Sequence, residues 1–309
     1  MASQAPLPAP GDSCQPDERK AGPRPPHLLQ APQDDAELMR VYEWLMARPI
    51  AELLRDAVDS AVKYVLDGAR TWRFDLNDPA VDSDERSSVG TKLQYHVIQA
   101  LELEKQPPLD TVIHGLAVEI KGTVRNTWMI PREGQCEITL VIRIDTKYHV
   151  FAAWLMRTHR AWLTGKKGNR DLKRSPRAEA VRRYALEVVP WTALPPEPLR
   201  DLTHEQLKVV FHKRHGLRRR LEALFEFLPM KVIPRSSIQT VGAGLDDPLR
   251  RARETKPGLR KRDLIVLVGT WQEERQAASK LGLTLSEDAW IAVPRARFDD
   301  AGVPVPALS

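Results

Sequence analysis

Asp110, Glu119 and Lys121 have side chains suited to hydrolytic chemistry, at a spacing that could bring them together. Leu116, Val118 and Ile120 alternate with Ala117, Glu119 and Lys121, and Gly122 ends the run. In a strand, side chains two apart share a face, so Glu119 and Lys121 project together while the apolar set enters a core. Asp110 begins the preceding short strand (111–114), and a turn at His114 and Gly115 can return it to the same spot. Two carboxylates offer hard oxygen ligands to Mg²⁺, and the Ile120 carbonyl is a third candidate. A cation held there acidifies water and neutralises charge on a phosphate, while Lys121 orients or polarises the nucleophile. The same letters also describe an exposed ion pair across a strand, which is worth little. Acid-x-Lys recurs at Glu18/Lys20, Asp145/Lys147, Asp171/Lys173 and Glu254/Lys256. Only Glu119 combines a strand, an apolar opposite face and an upstream acid.

A second signal is charge. Between Lys208 and Arg262 there are fifteen Lys or Arg against five acids. Around Arg235 a short helix follows Pro234; a Gly-containing turn leads to a second helix carrying Arg250, Arg251 and Arg253. Pro248 suits its first turn, and Asp246 or Asp247 can cap it. Helix, tight turn and basic helix describe a helix-turn-helix whose second helix can enter a major groove. The basic stretch 256–262, ahead of a strand, reads as a wing. A solvated charged face is the plain alternative. A further basic stretch, 157–183, contains Lys173 and Arg174.

The elements that must position these residues follow from periodicity. Helices are expected from about 35, over 50–66 and over 89–103, with apolar residues recurring at helical spacing. Strands follow at 116–121, 137–144 and 149–156, so a mixed α/β domain carries the middle of the chain. Eight of the 25 prolines fall in residues 1–35, which read as a disordered tail. The proline-punctuated stretch 188–198 reads as a linker. Helices are expected over 203–211 and 217–230 and near 235 and 246, then a strand over 264–268. The division is therefore a tail (1–35), a first domain (36–187), a linker (188–200), a second domain (201–300) and a flexible end (301–309).

Composition removes several classes. No run approaches the roughly 18 apolar residues of a membrane-spanning helix, and the first residues lack the pattern of a signal peptide. Two cysteines, Cys14 and Cys136, cannot build a disulfide framework or a four-thiolate zinc site. A reduced, cytoplasmic protein is the expectation. The net charge of +6 says little beside its distribution. His114 and His149, read as strand residues, have no partner at a metal or triad spacing. Trp128, Trp154 and Trp162 read as core aromatics, and Cys136 as a small buried apolar residue.

From about 37 to about 298 the chain resembles the NaeI-type restriction endonucleases. The matching residues include Leu54, Arg55 and Asp56; Gly90 and Thr91; Asp110 with Glu119 and Lys121; and Trp128, Met129 and Pro131. They continue with the run 169–174, the run 246–253, the strand 264–269, and Leu281, Gly282 and Leu283. The resemblance implies a Mg²⁺-dependent homodimer that cuts both strands of a GC-rich palindromic DNA site. It implies a restriction-endonuclease-like mixed sheet flanked by helices, then a mostly α winged-helix-like domain. That second domain would bind a further copy of the DNA site and activate cleavage. Asp110 and Glu119 would hold metal and Lys121 would serve the attacking water, with Glu119 standing where the relative has Asp. Lys173, Arg174, Arg235, Arg250, Arg251 and Arg253 are the expected DNA contacts. Gln94 stands where the family carries a catalytic Glu, so the site has one negative charge fewer. A binding-only homologue and a repair nickase are the competing readings.

Overall fold

The computed structural model describes residues 6–16, 26–164 and 172–308, which fall into two compact units. Lys166, Lys167, Arg170 and Asp171 of the basic stretch, and Glu18 and Lys20 of the tail, lie outside the described residues.

The first unit begins with a pair of two-residue strands, β1 (Ser13–Cys14) and β2 (His27–Leu28), set antiparallel with Cys14 opposite His27. Helix α1 (Ala36–Met46) is capped by Asp35, which accepts from the Leu38 N–H at 3.0 Å. It buries Leu38, Val41 and Leu45, one face at helical spacing. Helix α2 (Ile50–Leu66) follows, and the four-residue α3 (Gly68–Thr71) belongs to the second unit. Helix α4 (Ser83–Ala100) starts six residues before its expected position, because Asp82 accepts from the N–H groups of Asp84 and Glu85 at 2.8 Å and caps a polar first turn.

The sheet runs β3 (Thr111–Ile113), β4 (Leu116–Thr123), β5 (Ile138–Asp145), β6 (Val150–Arg157), β7 (Leu186–Ala193), adjacent in that order. Only the β4–β5 pairing is parallel. Helix α5 (Ala178–Tyr184) lies between β6 and β7 in the chain. Helix α4 crosses β4 at a glycine contact. A Cβ added to Gly90 would lie 2.5 Å from the Gly122 carbonyl oxygen, so both positions must stay bare for the helix to approach.

Several expectations are corrected here. Most of β7 falls in the stretch expected as a linker; it is an edge strand in which Pro190 lies at the irregularity between the pairs Ala153–Val189 and Phe151–Thr192. Edge strands and bulges are where a sheet tolerates a residue with no N–H. Nor is the tail wholly unstructured: Cys14 and Leu29 are buried. Its prolines lack N–H groups but keep their carbonyls, and the Pro8 and Pro16 carbonyls accept from Trp162 Nε1 and Arg160 Nη1, each at 3.0 Å. His114 and His149 sit in turns at positive φ, 49° and 52°, not on strands.

The second unit comprises Leu66–Asp75 and Pro196–Ser309. Its helices are α6 (His204–Val210), α7 (Leu217–Phe227), α8 (Arg235–Val241), α9 (Pro248–Glu254), α10 (Lys256–Arg260), α11 (Gln272–Lys280) and α12 (Arg295–Ala301). Strands β8 (Val232–Pro234), β9 (Leu264–Val268) and β10 (Ala289–Pro294) form an antiparallel sheet in the order β8-β10-β9. Leu221, Leu224, Phe225, Ile238, Val241 and Leu259 fill its core, with Trp72 and Phe74 packed against it. The expected wing at 256–262 is mostly helix α10. The expected flexible end begins inside α12, and Val303 and Val305 pack on a second cluster around Phe298.

Candidate active site and nucleic-acid interface

Strand β4 presents Glu119 and Lys121 two apart, and β3 brings Asp110 beside them through the antiparallel register Thr111–Val118. Asp110 Oδ2 accepts from the Ile120 N–H at 2.9 Å, which fixes that carboxylate against the strand. Lys121 Nζ lies 2.5 Å from Glu119 Oε1 and 3.8 Å from Asp110 Oδ2. Asp110 and Glu119 are only 6% and 3% exposed, so the exposed ion-pair alternative is excluded.

Burial pushes the Glu119 carboxyl above its ordinary range; Lys121 opposes that, while Asp110 and Glu133 add to it. The arrangement is electrostatically incomplete. With both carboxylates ionised, two negative charges face one ammonium in a water-poor site, where an uncompensated charge is costly. A divalent cation supplies the missing charge, and the donors, two carboxylates with the Ile120 carbonyl between Glu119 and Lys121, are the hard oxygens that Mg²⁺ takes. The residues present fit such an ion.

Gln94 is half-buried on α4, four residues after Gly90 and hence on the helix face turned to β4. Sequence reasoning missed Glu133. It lies in the loop between β4 and β5, beside Gly134, whose added Cβ would come 3.3 Å from Glu119 Cγ. An isolated exposed acid in a loop carries no pattern that would have pointed to it.

The expected DNA contacts divide unevenly. Arg250 is exposed, with Asp247 and Glu254 at 3.5 and 3.4 Å, and Arg251 pairs with Glu254 at 2.7 Å, all within α9. Arg253 lies over the Trp271 ring, 5.8 Å from its centroid. Arg235 is half-exposed and 3.7 Å from Asp288. Lys173 is half-buried, and Arg174 is 8% exposed, its backbone paired with Ile130. Little of the Arg174 side chain is therefore at the surface. The counted basic excess shrinks further because Lys256 is buried against Glu274 at 2.5 Å and Arg262 pairs with Glu222 and Glu226. No helix among the described residues is long and apolar enough to cross a membrane.

None of the curated proteins compared with the chain matches it. The family model described as restriction endonuclease NaeI does match, over residues 45–308. That span includes the Asp110, Glu119 and Lys121 constellation and all but the last residue of the second unit, and the chain therefore belongs to the NaeI restriction endonuclease family, a family of type II deoxyribonucleases.

Proposed function

We propose that the chain is a Mg²⁺-dependent endonuclease that cuts both strands of a GC-rich palindromic DNA site as a homodimer. Family membership implies DNA as substrate and, typically, dependence on a metal. The observation that carries the reading is the convergence of two buried carboxylates and a lysine, 2.5 and 3.8 Å from it, at the end of a hydrogen-bonded strand pair. Asp110, Glu119 and the Ile120 carbonyl would hold the ion, which when bound supplies charge neutralisation at the phosphate and an acidified water. Lys121 Nζ orients the attacking water and balances the charge of Glu119. Burial of the pair keeps bulk water away, which strengthens each of these interactions.

The second unit supports a winged-helix reading for an activating DNA copy. Its order α7-β8-α8-α9-α10-β9-α11-β10, with the first strand paired to the last, supports reading α8 and α9 as a helix-turn-helix backed by a small sheet. Helix α9 is the candidate recognition helix, with Arg250, Arg251 and Arg253. On this reading the first unit, β7 included, is the cutting unit, and the second, with residues 66–75, is the DNA-reading unit. Gln94 favours one competing reading, a homologue that binds DNA without cutting it, because an amide brings no charge to a cation.

Incubation with a plasmid rich in GC palindromes, with Mg²⁺ or with EDTA, separates the readings. Discrete Mg²⁺-dependent linear fragments are expected. Lys121→Ala should lose cleavage at least 100-fold while its salt-sensitive DNA band shift persists. Cleavage by Lys121→Ala at the wild-type rate would sink the catalytic assignment. Nicked circles would indicate a nickase, and a band shift with no cleavage by the wild-type chain would indicate the binder.

A further inference from the structure

A second cluster of ligating side chains lies in the first unit, separate from the carboxylate pair. Cys14, His27, Cys136 and His159 each offer one ligand atom, and the four atoms lie within 4.8 Å of one another. The two sulfurs are 3.8 Å apart, and His27 Nε2 faces His159 Nδ1 at 3.0 Å. We infer that these four residues form a structural Zn²⁺ site that fastens the N-terminal strand pair to the end of the catalytic sheet.

The sulfur separation matches a tetrahedron around zinc, and the nitrogen separation lies a few tenths of an ångström inside it. Zn–S bonds of about 2.3 Å place two tetrahedral sulfurs about 3.8 Å apart, and Zn–N bonds of about 2.0 Å place two nitrogens about 3.3 Å apart. Two thiolates with two imidazoles are a zinc donor set, and a four-protein-ligand site leaves no open position for catalysis. The surroundings also fit. Cys14, Cys136 and His159 are buried, the Arg160 N–H donates to Cys136 Sγ at 3.3 Å, and the Ala161 backbone donates to Cys14. Such N–H donors stabilise sulfur that carries negative charge. A cavity of about 580 Å³ lined by His27, Cys136, Arg157 and His159 gives an ion a way in.

The placement also says what the metal does. Cys14 and His27 are paired opposite each other across β1 and β2, a two-stranded ribbon of two residues each. So short a ribbon does not hold itself together in water. Cys136 and His159 belong to the sheet end, where the Cys136 N–H donates to the Thr158 carbonyl at 2.8 Å. One ion therefore joins segments more than 120 residues apart and closes the loop that carries Glu133 and Gly134 beside Glu119. Zinc binding free energy becomes folding free energy for the N-terminal segment.

The test uses the full chain, purified without a histidine tag or chelator. Elemental analysis should give about one zinc per chain. Cys14→Ser and His27→Ala, which alter only the N-terminal ribbon, should each lower it to background, whereas Lys121→Ala should retain it. A second measurement needs no variant: the wild-type chain refolded with Co²⁺ should show thiolate-to-cobalt charge transfer and the strong visible bands of a tetrahedral ion. Three results would overturn the inference: no bound metal in the wild-type chain, zinc retained in the Cys14→Ser/His27→Ala double variant, or an intact mass lower by two hydrogens from a Cys14–Cys136 disulfide.

Discussion

The buried ion pair of the second unit permits a worked prediction. Lys256 and Glu274 have side chains 4% and 3% exposed and meet at 2.5 Å. Glu274 Oε2 also accepts from the Val268 N–H at 2.6 Å, so one carboxylate ties the start of α10 to the end of β9. Lys256→Met keeps most of the side-chain volume but removes the charge facing the buried carboxylate. Breaking such a pair costs about 3–5 kcal/mol. For a unit of this size each kcal/mol lowers the midpoint by about 3–5 °C, so the transition should fall by roughly 9–25 °C. Removing both charges in Lys256→Met/Glu274→Leu takes away the stranded carboxylate and leaves mainly the Val268 N–H without its acceptor, at about 1–3 kcal/mol. The double variant should therefore be more stable than the single. Differential scanning calorimetry on the three proteins decides it. A single variant within 1 kcal/mol of wild type, or a double variant less stable than the single, would refute the reasoning that desolvation governs this pair.

Two further outcomes follow from other parts of the molecule. Gly90→Ala ought to stabilise an exposed helix by about 1 kcal/mol; here the new Cβ meets the Gly122 oxygen at 2.5 Å. Thermal unfolding should show a loss of about 1–3 kcal/mol, because α4 is pushed off β4, and a raised midpoint would contradict the close approach. Asp35 receives Arg157 Nε and Nη2 at 2.5 and 2.9 Å. Burial alone would raise its carboxyl, but the Arg157 and Leu38 hydrogen bonds outweigh it and the group lies below its ordinary value. The stabilisation is therefore complete above the unfolded value near pH 4 and is lost as pH falls through the lower folded value. Asp35→Asn keeps a competent helix cap, so urea melts should show a deficit of about 2 kcal/mol at pH 7 that shrinks on acidification; a deficit constant down to pH 2 would show that the ion pair contributes nothing.

The Asp110, Glu119 and Lys121 cluster was legible because its geometry is local. Glu119 and Lys121 share a face by the strand period alone, and Asp110 reaches them through one tight hairpin. The Cys14, His27, Cys136 and His159 cluster has no such period. Its sulfur pair spans 122 residues and its imidazole pair 132, so only the folded chain brings them together. Two cysteines counted without their histidines argued against a zinc site, correctly for four thiolates and irrelevantly for two. Pro190 signalled a linker because a proline reads the same in a loop and in an edge strand. The arginines of α9 were visible, but Asp247 and Glu254, which hold two of them, entered the count only as small subtractions.

Residues 66–75 leave the first unit's chain to join the second, where Trp72 and Phe74 stack on Phe211 with ring centroids 6.3 and 6.0 Å away. The backbone thus passes between the units three times, after Val65, after Asp75 and after Pro195. The two halves are consequently not modules that recombination could exchange at one junction. A gene fragment starting at Pro196 would encode a second unit stripped of two of its aromatic cover residues, and a swap with a related enzyme would have to carry both pieces at once. Inheritance of the two units is coupled by connectivity alone.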